Sequence, residues 1–285
     1  MDTAQDHINL GLAFTMSKRY DQAITEFERA LSINPDDAEV LTHLADAYVY
    51  KGEYDRGIEE YEKALKINPM NVGVIIKLGK LYAGMGNLEK SMEQYKKSIE
   101  LNRGDMTARH ALGDLYIKMG NYPEAEKEYR TMLEKLGDNA ELLFKLGYIY
   151  ESGKKYAEAA VEYEKALAAS PKSPGINSIL GSVYRQLKNP EKAIEHYEKA
   201  VKLNPEESGA AFNLGVLYFE NGKPEKAVEQ LERAGRNRYK NNEICIMLGE
   251  IYSRLGRKKE ALEQYKKVAA LGGATVETHK ALGYI

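Results

Sequence analysis

A 34-residue self-similarity constrains this chain more than any other feature. Residues 20–35 read YDQAITEFERALSINP, and the phrase returns at 54–69 (YDRGIEEYEKALKINP), 156–171 (YAEAAVEYEKALAASP) and 190–205 (PEKAIEHYEKAVKLNP). The starts are multiples of 34 apart, which is the mark of a stacked repeat. Length alone would allow two compact domains; the repeat predicts a single elongated array over 4–275. Counting from Ala4 gives units 4–37, 38–71, 72–105, 106–139, 140–173, 174–207, 208–241 and 242–275, with no insertion between them. Residues 276–285 then read as a partial ninth helix or a C-terminal cap.

Repeat position 7 is leucine in all eight units, from Leu10 to Leu248, and position 8 is glycine, or alanine at Ala45. Position 11 is aromatic: Phe14, Tyr48, Tyr82, Tyr116, Tyr150, Tyr184, Tyr218 and Tyr252. These offsets share one helical stripe. Later in each unit a small residue at position 20 precedes position 24, which is Phe27, Tyr61, Tyr95, Tyr129, Tyr163, Tyr197, Leu231 or Tyr265. Each unit is therefore two amphipathic helices. A glycine inside a helix costs about 1 kcal/mol relative to alanine, so its recurrence predicts close helix–helix approach, with large side chains filling the space around it. Glycine-containing turns such as KGE and NGK, and Asn-Pro after the second helix, make successive helices antiparallel.

On these residues the chain resembles the tetratricopeptide repeat (TPR) family. The resemblance implies an all-α fold, an α-solenoid of antiparallel helix pairs wound as a right-handed superhelix. Two departures stand out. Position 4, usually tryptophan, is His7, Leu41, Ile75, Arg109, Leu143, Asn177, Ala211 and Cys245, which predicts looser packing at Arg109 and Asn177. The closing proline is replaced by Arg103, Gly137, Tyr239 and Gly273, which leaves those helix ends less defined.

The chemistry-bearing residues form no constellation. Gly153-Lys154 imitates a phosphate loop, but its spacing is one residue too long, Lys155 stands where serine or threonine is needed, and no strand precedes it. The five histidines lie in different repeats without a second ligand at metal spacing. Cys245, the one cysteine, reads as a structural thiol. The expectation is a non-enzymatic protein with no cofactor and no metal. A net charge of -2 gives no field for nucleic acid. The N-terminal residues read without a secretory signal and no apolar run reaches membrane-spanning length, so the expected location is cytoplasmic, without a transmembrane anchor.

By the resemblance, first helices line a concave groove that receives protein or peptide partners. Positions 5, 9 and 12 of repeats five to seven collect Phe144, Tyr148, Phe212, Val216 and Phe219 around Ser178 and Ser182. These aromatics are the expected anchors for an apolar extended or helical peptide, with Lys145, Arg185 and Asn213 as polar partners. The competing reading is that the same residues pack against neighbouring repeats. The family's carboxylate clamp needs lysine at position 2, which no repeat has, and its asparagine ladder at position 6 is reduced to Asn9 and Asn213.

Residues 1–50 carry nine acids and three bases, whereas the chain from Lys223 carries thirteen bases and eight acids. This opposition would favour a head-to-tail homo-oligomer. The function expected is a protein-interaction scaffold. The alternatives are the recruiting segment of a larger enzyme such as a glycosyltransferase, and a self-assembling scaffold of a bacterial organelle or membrane-associated complex.

Overall fold

A computed structural model describes residues 3–236, 241–270 and Gly283. Among them it holds sixteen α-helices and no strand. Tyr239, Gly273 and the final fragment 276–285, Gly283 excepted, lie outside the described residues. The chain divides into two compact units, 1–135 and 136–285.

The first unit holds four helix pairs: α1 (Ala4–Met16) with α2 (Tyr20–Ile33), α3 (Ala38–Lys51) with α4 (Tyr54–Ile67), α5 (Val72–Gly84) with α6 (Leu88–Leu101), and α7 (Met106–Lys118) with α8 (Tyr122–Leu136). The second holds α9 (Ala140–Ser152) with α10 (Tyr156–Ala169), α11 (Pro174–Gln186) with α12 (Pro190–Leu203), α13 (Ser208–Glu220) with α14 (Pro224–Gly235), and α15 (Asn241–Arg254) with α16 (Lys258–Ala270). Within each unit an odd helix packs on the even helix after it, and that even helix packs on the next odd one.

The residue before six of the eight odd helices fixes where the helix starts, whereas Glu207 before α13 makes no side-chain cap. Thr3, Asp37, Asn71, Asp105, Asn139 and Ser173 each accept a hydrogen bond from a first-turn backbone N–H, meeting donors that the helix leaves unpaired. Between the two helices of a pair, position 15 is left-handed throughout. Glycine fills it at Gly52, Gly86, Gly120, Gly222 and Gly256, and lysine at Lys18, Lys154 and Lys188 with φ of 55–58°. The Gly153-Lys154 stretch is thus a helix–helix turn. At the far end, Asn34, Asn68 and Asn204 cap the even helices, and Asn102 does so with the same backbone although Arg103 replaces proline. That helix end is as defined as the others.

Close approach is visible at position 8. A methyl added at Gly147 would meet the Tyr163 ring at 2.6 Å, and one at Gly181 would meet Tyr197 at 2.8 Å. Gly11, Gly79, Gly113 and Gly249 face their position-24 aromatics in the same way, and Gly215 faces Leu231. The leucines at position 7 are buried from Leu44 to Leu248, but Leu10 is 48% exposed because no described element precedes α1.

The expectation of looser packing at Arg109 and Asn177 is corrected. Arg109 Nη1 lies 2.7 Å from Glu128 Oε2, both side chains largely buried, and His196 Nδ1 lies 3.1 Å from Asn177 Oδ1. His7 pairs with Glu26 at 2.7 Å in the same positions of the first repeat. Polar pairs between positions 4 and 23 thus fill the space of the missing tryptophan. The His196 ring also stacks on Tyr184 at 5.5 Å.

Gly181→Val should destabilise the protein by about 1–3 kcal/mol, the range for overpacking, read as a lower urea midpoint. Valine is the informative choice because Ala45 shows that one methyl fits. A second expectation concerns pH. Burial, helped by Lys199, holds the His196 pKa below its ordinary value. The unfolded chain takes up this proton near pH 6.5 and the folded chain only lower, so stability falls as pH drops below about 6.5. His196→Gln, the residue found at this position in Gln230 and Gln264, should flatten the urea midpoint between pH 7 and 5.5.

Candidate functional site

Two networks built from tyrosines set the surfaces a partner could meet. At position 11 the hydroxyl donates to a glutamate twenty residues earlier, on the even helix of the preceding repeat. Tyr48 reaches Glu28 at 2.9 Å, Tyr82 reaches Glu62 at 3.2 Å and Tyr252 reaches Glu232 at 2.7 Å. Tyr184 and Tyr218 bond Glu164 and Glu198 in the same way. A cation lies over each ring: Arg56 at 4.1 Å from Tyr48, Lys192 at 4.6 Å from Tyr184, Arg257 at 4.5 Å from Tyr252. Burial, with the glutamate beside it, pushes Tyr82 and Tyr252 up to about 12, so these hydroxyls stay protonated donors. In the fourth repeat Lys96 stands where the glutamate would be under Tyr116. The clasp was missed in the sequence, although a Tyr–Glu pair at spacing 20 is its signal.

Position-24 tyrosines run through the helix pair and bring their hydroxyls out on the odd-helix face. Tyr129 donates to Asp114 at 2.8 Å, Tyr163 to Glu151 at 2.8 Å, and Tyr197 shares a 2.7 Å bond with Ser182. Tyr61 does the same with Asp46, which also accepts from Lys77 Nζ at 2.6 Å. The polar floor of this face is therefore pinned from behind by the core.

The expected site residues divide by burial. On α9, Tyr148 is 42% exposed, while Lys145 and Phe144 are half-buried, the Phe144 ring 5.4 Å from that of Tyr163. On α11, Arg185 is exposed and its Nη2 bonds Glu220 Oε1 at 3.0 Å, linking α11 to α13. On α13, Asn213, Val216 and Phe219 are half-buried, and the Arg254 guanidinium lies 4.7 Å from the Phe219 ring centre. Phe212 is only 5% exposed, so at this position the packing reading holds. Its side chain belongs to the core of the second unit.

A concavity outside that set lies in the first unit. A cleft of about 360 Å³ opens between α3, α4 and α5, walled by Val49, Tyr50, Tyr54, Leu81 and Met85 above Asp46 and Lys77. Elsewhere, burial pushes the Cys245 thiol up, away from nucleophilic use. Among the described residues no group of three His, Cys, Asp or Glu side chains could hold a metal, and no helix is long and apolar enough to cross a membrane. Phe212→Ala should destabilise by about 3–5 kcal/mol, as for a buried phenylalanine, whereas Tyr148→Ala should leave the melting temperature nearly unchanged.

With this geometry in place, comparison with known proteins is informative. Family profiles described as tetratricopeptide repeat match residues 110–174, 180–241, 218–275 and 72–105, and one described as TPR repeat matches 11–49 and 45–86. No curated protein matches the chain. Among solved structures, MamA is similar at 24% identity and a TM-score of 0.55 over 60% of this chain and 93% of its own. A tetratricopeptide repeat protein from Parabacteroides merdae is similar at 20% identity and a TM-score of 0.59, covering 86% of this chain and 97% of its own. YrrB, described as a TPR protein with an unusual peptide-binding site, is similar at 20% identity and a TM-score of 0.55, over 65% and 95%. The repeat frame, the paired helices and the profile matches agree: the chain belongs to the tetratricopeptide repeat family.

Proposed function

We propose that this protein is a non-enzymatic scaffold that binds a protein or peptide partner on the odd-helix face of residues 136–285. The observation that carries the reading is the placement of Tyr148, Phe144, Val216 and Phe219. These apolar side chains keep accessible surface on α9 and α13 and stand beside Lys145, Arg185 and Asn213 over a floor that Tyr163 and Tyr197 hold rigid. Rigid aromatic anchors with polar neighbours are what concentrates binding energy at interfaces. YrrB, similar in fold, supports a peptide as the ligand class. Phe212 contributes from beneath, as support for the anchors.

A second reading, self-association head to tail, rests on the acidic first 50 residues and the basic stretch from Lys223. Light-scattering mass that rises with protein concentration and falls with salt would favour it, since charge-driven contacts are screened.

The test of the main reading is affinity capture from an extract of the source cells, comparing wild type with Tyr148→Ala/Phe219→Ala. A captured protein that drops at least tenfold with the double variant, at unchanged helical circular dichroism, is the expected outcome. Equal capture by both forms would overturn this site.

A further inference from the structure

We infer that the cleft between α3, α4 and α5 is a second docking site, for a peptide segment presenting a large apolar side chain with a carboxylate one or two residues away. It rests on the reading of this protein as a binding scaffold but uses none of the residues in 136–285.

Three observations carry it. First, one face of Tyr50 stacks on Tyr20 at 5.7 Å, and the apolar surface left beyond that contact exceeds what the fold requires. Tyr50 and Met85, at positions 13 and 14, are 60% and 44% exposed, as are Met16 at 87% and Met119 at 40% in equivalent places. Repeats five to eight build the same helix pairs with Ser152, Gln186, Glu220 and Arg254 at position 13, so polar residues serve the fold equally well in the place of Tyr50, and with Gly153 and Asn221 as well as Leu187 and Leu255 at position 14, so the place of Met85 needs no large apolar side chain. Exposed tyrosine and methionine gathered on one cleft mark a contact surface, and methionine adapts to varied apolar partners.

Second, a glycine keeps the cleft open. The position-8 glycines are demanded by a facing aromatic, but a Cβ on Gly84 would meet nothing within 4 Å. Gly84 ends α5 and lines the cleft. A side chain here would occupy the volume that is now empty. At about 360 Å³ the cleft falls within the ~300–1,000 Å³ of ligand sites.

Third, the charge at the mouth selects the partner. Asp46 is already engaged by Tyr61 and Lys77. Lys80 also lines the cleft, is exposed, and has no ion pair among the described residues. The Asp46–Lys77 pair joins position 9 of one repeat to position 6 of the next, and the residue in that relation to Lys80 is Ala111, which offers no carboxylate. One unneutralised ammonium beside an apolar cleft is complemented by an acid next to an apolar side chain.

The experiment uses the full chain labelled with nitrogen-15 throughout and with carbon-13 at the methionine methyls, the Met85 signal being assigned from Met85→Leu. The probe is the capped peptide Gly-Ser-Phe-Glu-Ser-Gly, with Phe→Ser and Glu→Gln controls, titrated to millimolar concentration. The Met85 methyl resonance should shift and saturate with the Phe-Glu peptide and stay still with the Phe→Ser control. Lys80→Gln should weaken binding by about two- to fivefold, the range of an exposed ion pair, and leave the Glu→Gln peptide unaffected. Gly84→Tyr should abolish the shift at an unchanged or higher melting temperature; Tyr50→Ser, which removes an exposed wall, should weaken it independently. Binding that survives Gly84→Tyr, or no Met85 shift at all, would overturn the inference. Shifts confined to the amides of Tyr148 and Phe219 would overturn it too while supporting the site on α9 and α13. Failure of that other site would show as loss of Tyr148 and Phe219 effects in the capture assay, with the Met85 response intact.

Discussion

Contact between a glycine backbone and an aromatic ring is the constraint on which six of the eight helix pairs depend, with Ala45 in place of the glycine and Leu231 in place of the ring in the other two. At 2.5–2.8 Å from the nearest ring or leucine carbon, the virtual Cβ positions of the position-8 glycines show that almost no side chain could be inserted without moving the ring. The close approach also has a functional consequence. It lets the position-24 tyrosine span the pair, so a residue rooted in the core ends in a hydroxyl on the odd-helix face. There it orients Asp114, Glu151 and Ser182. The acceptors of the surface are thereby positioned by core packing, which reduces the ordering that a partner must impose on binding.

Neighbouring repeats are joined by a different device. The tyrosine at position 11 donates to the previous repeat's glutamate while a lysine or arginine covers its ring, so one side chain links three elements. A tyrosine hydroxyl on a carboxylate is a charge-assisted bond, stronger than a neutral one, and a cation over an aromatic face adds about 0.5–1 kcal/mol at exposed sites. In a linear array, where each repeat touches only its neighbours, stability is close to a sum of such joints.

Much of the fold was legible because a period repeated eight times averages out local exceptions. Position 7 and position 8 identified the packed stripe. The polar exceptions were harder. Arg109 and Asn177 look like defects when position 4 is read alone; they make sense only with Glu128 and His196, nineteen residues away on the partner helix. The exposure of the proposed site residues was legible in part. Apolar residues at positions 5, 9 and 12 singled out Phe144, Tyr148 and Phe219, but helical phase alone could not tell that Phe212 turns inward while Tyr148 turns out. The cleft at Tyr50 and Met85 escaped notice because it forms at the turn end of the helices, where a concavity depends on three helices meeting and on a glycine whose use is to leave space.

The substitution of Lys96 for glutamate beneath Tyr116 carries a mechanical meaning. Every other clasp seen within a unit ties a repeat to its predecessor through a carboxylate, whereas this joint has an ammonium in that place. At this joint the third and fourth repeats are therefore held by the packing of α6 on α7 and by Lys135 Nζ on the Arg103 carbonyl rather than by a tyrosine–carboxylate bond. The fourth repeat is thus fastened to its predecessor by a different set of bonds from the second and third, whose clasps at Tyr48 and Tyr82 share one carboxylate chemistry.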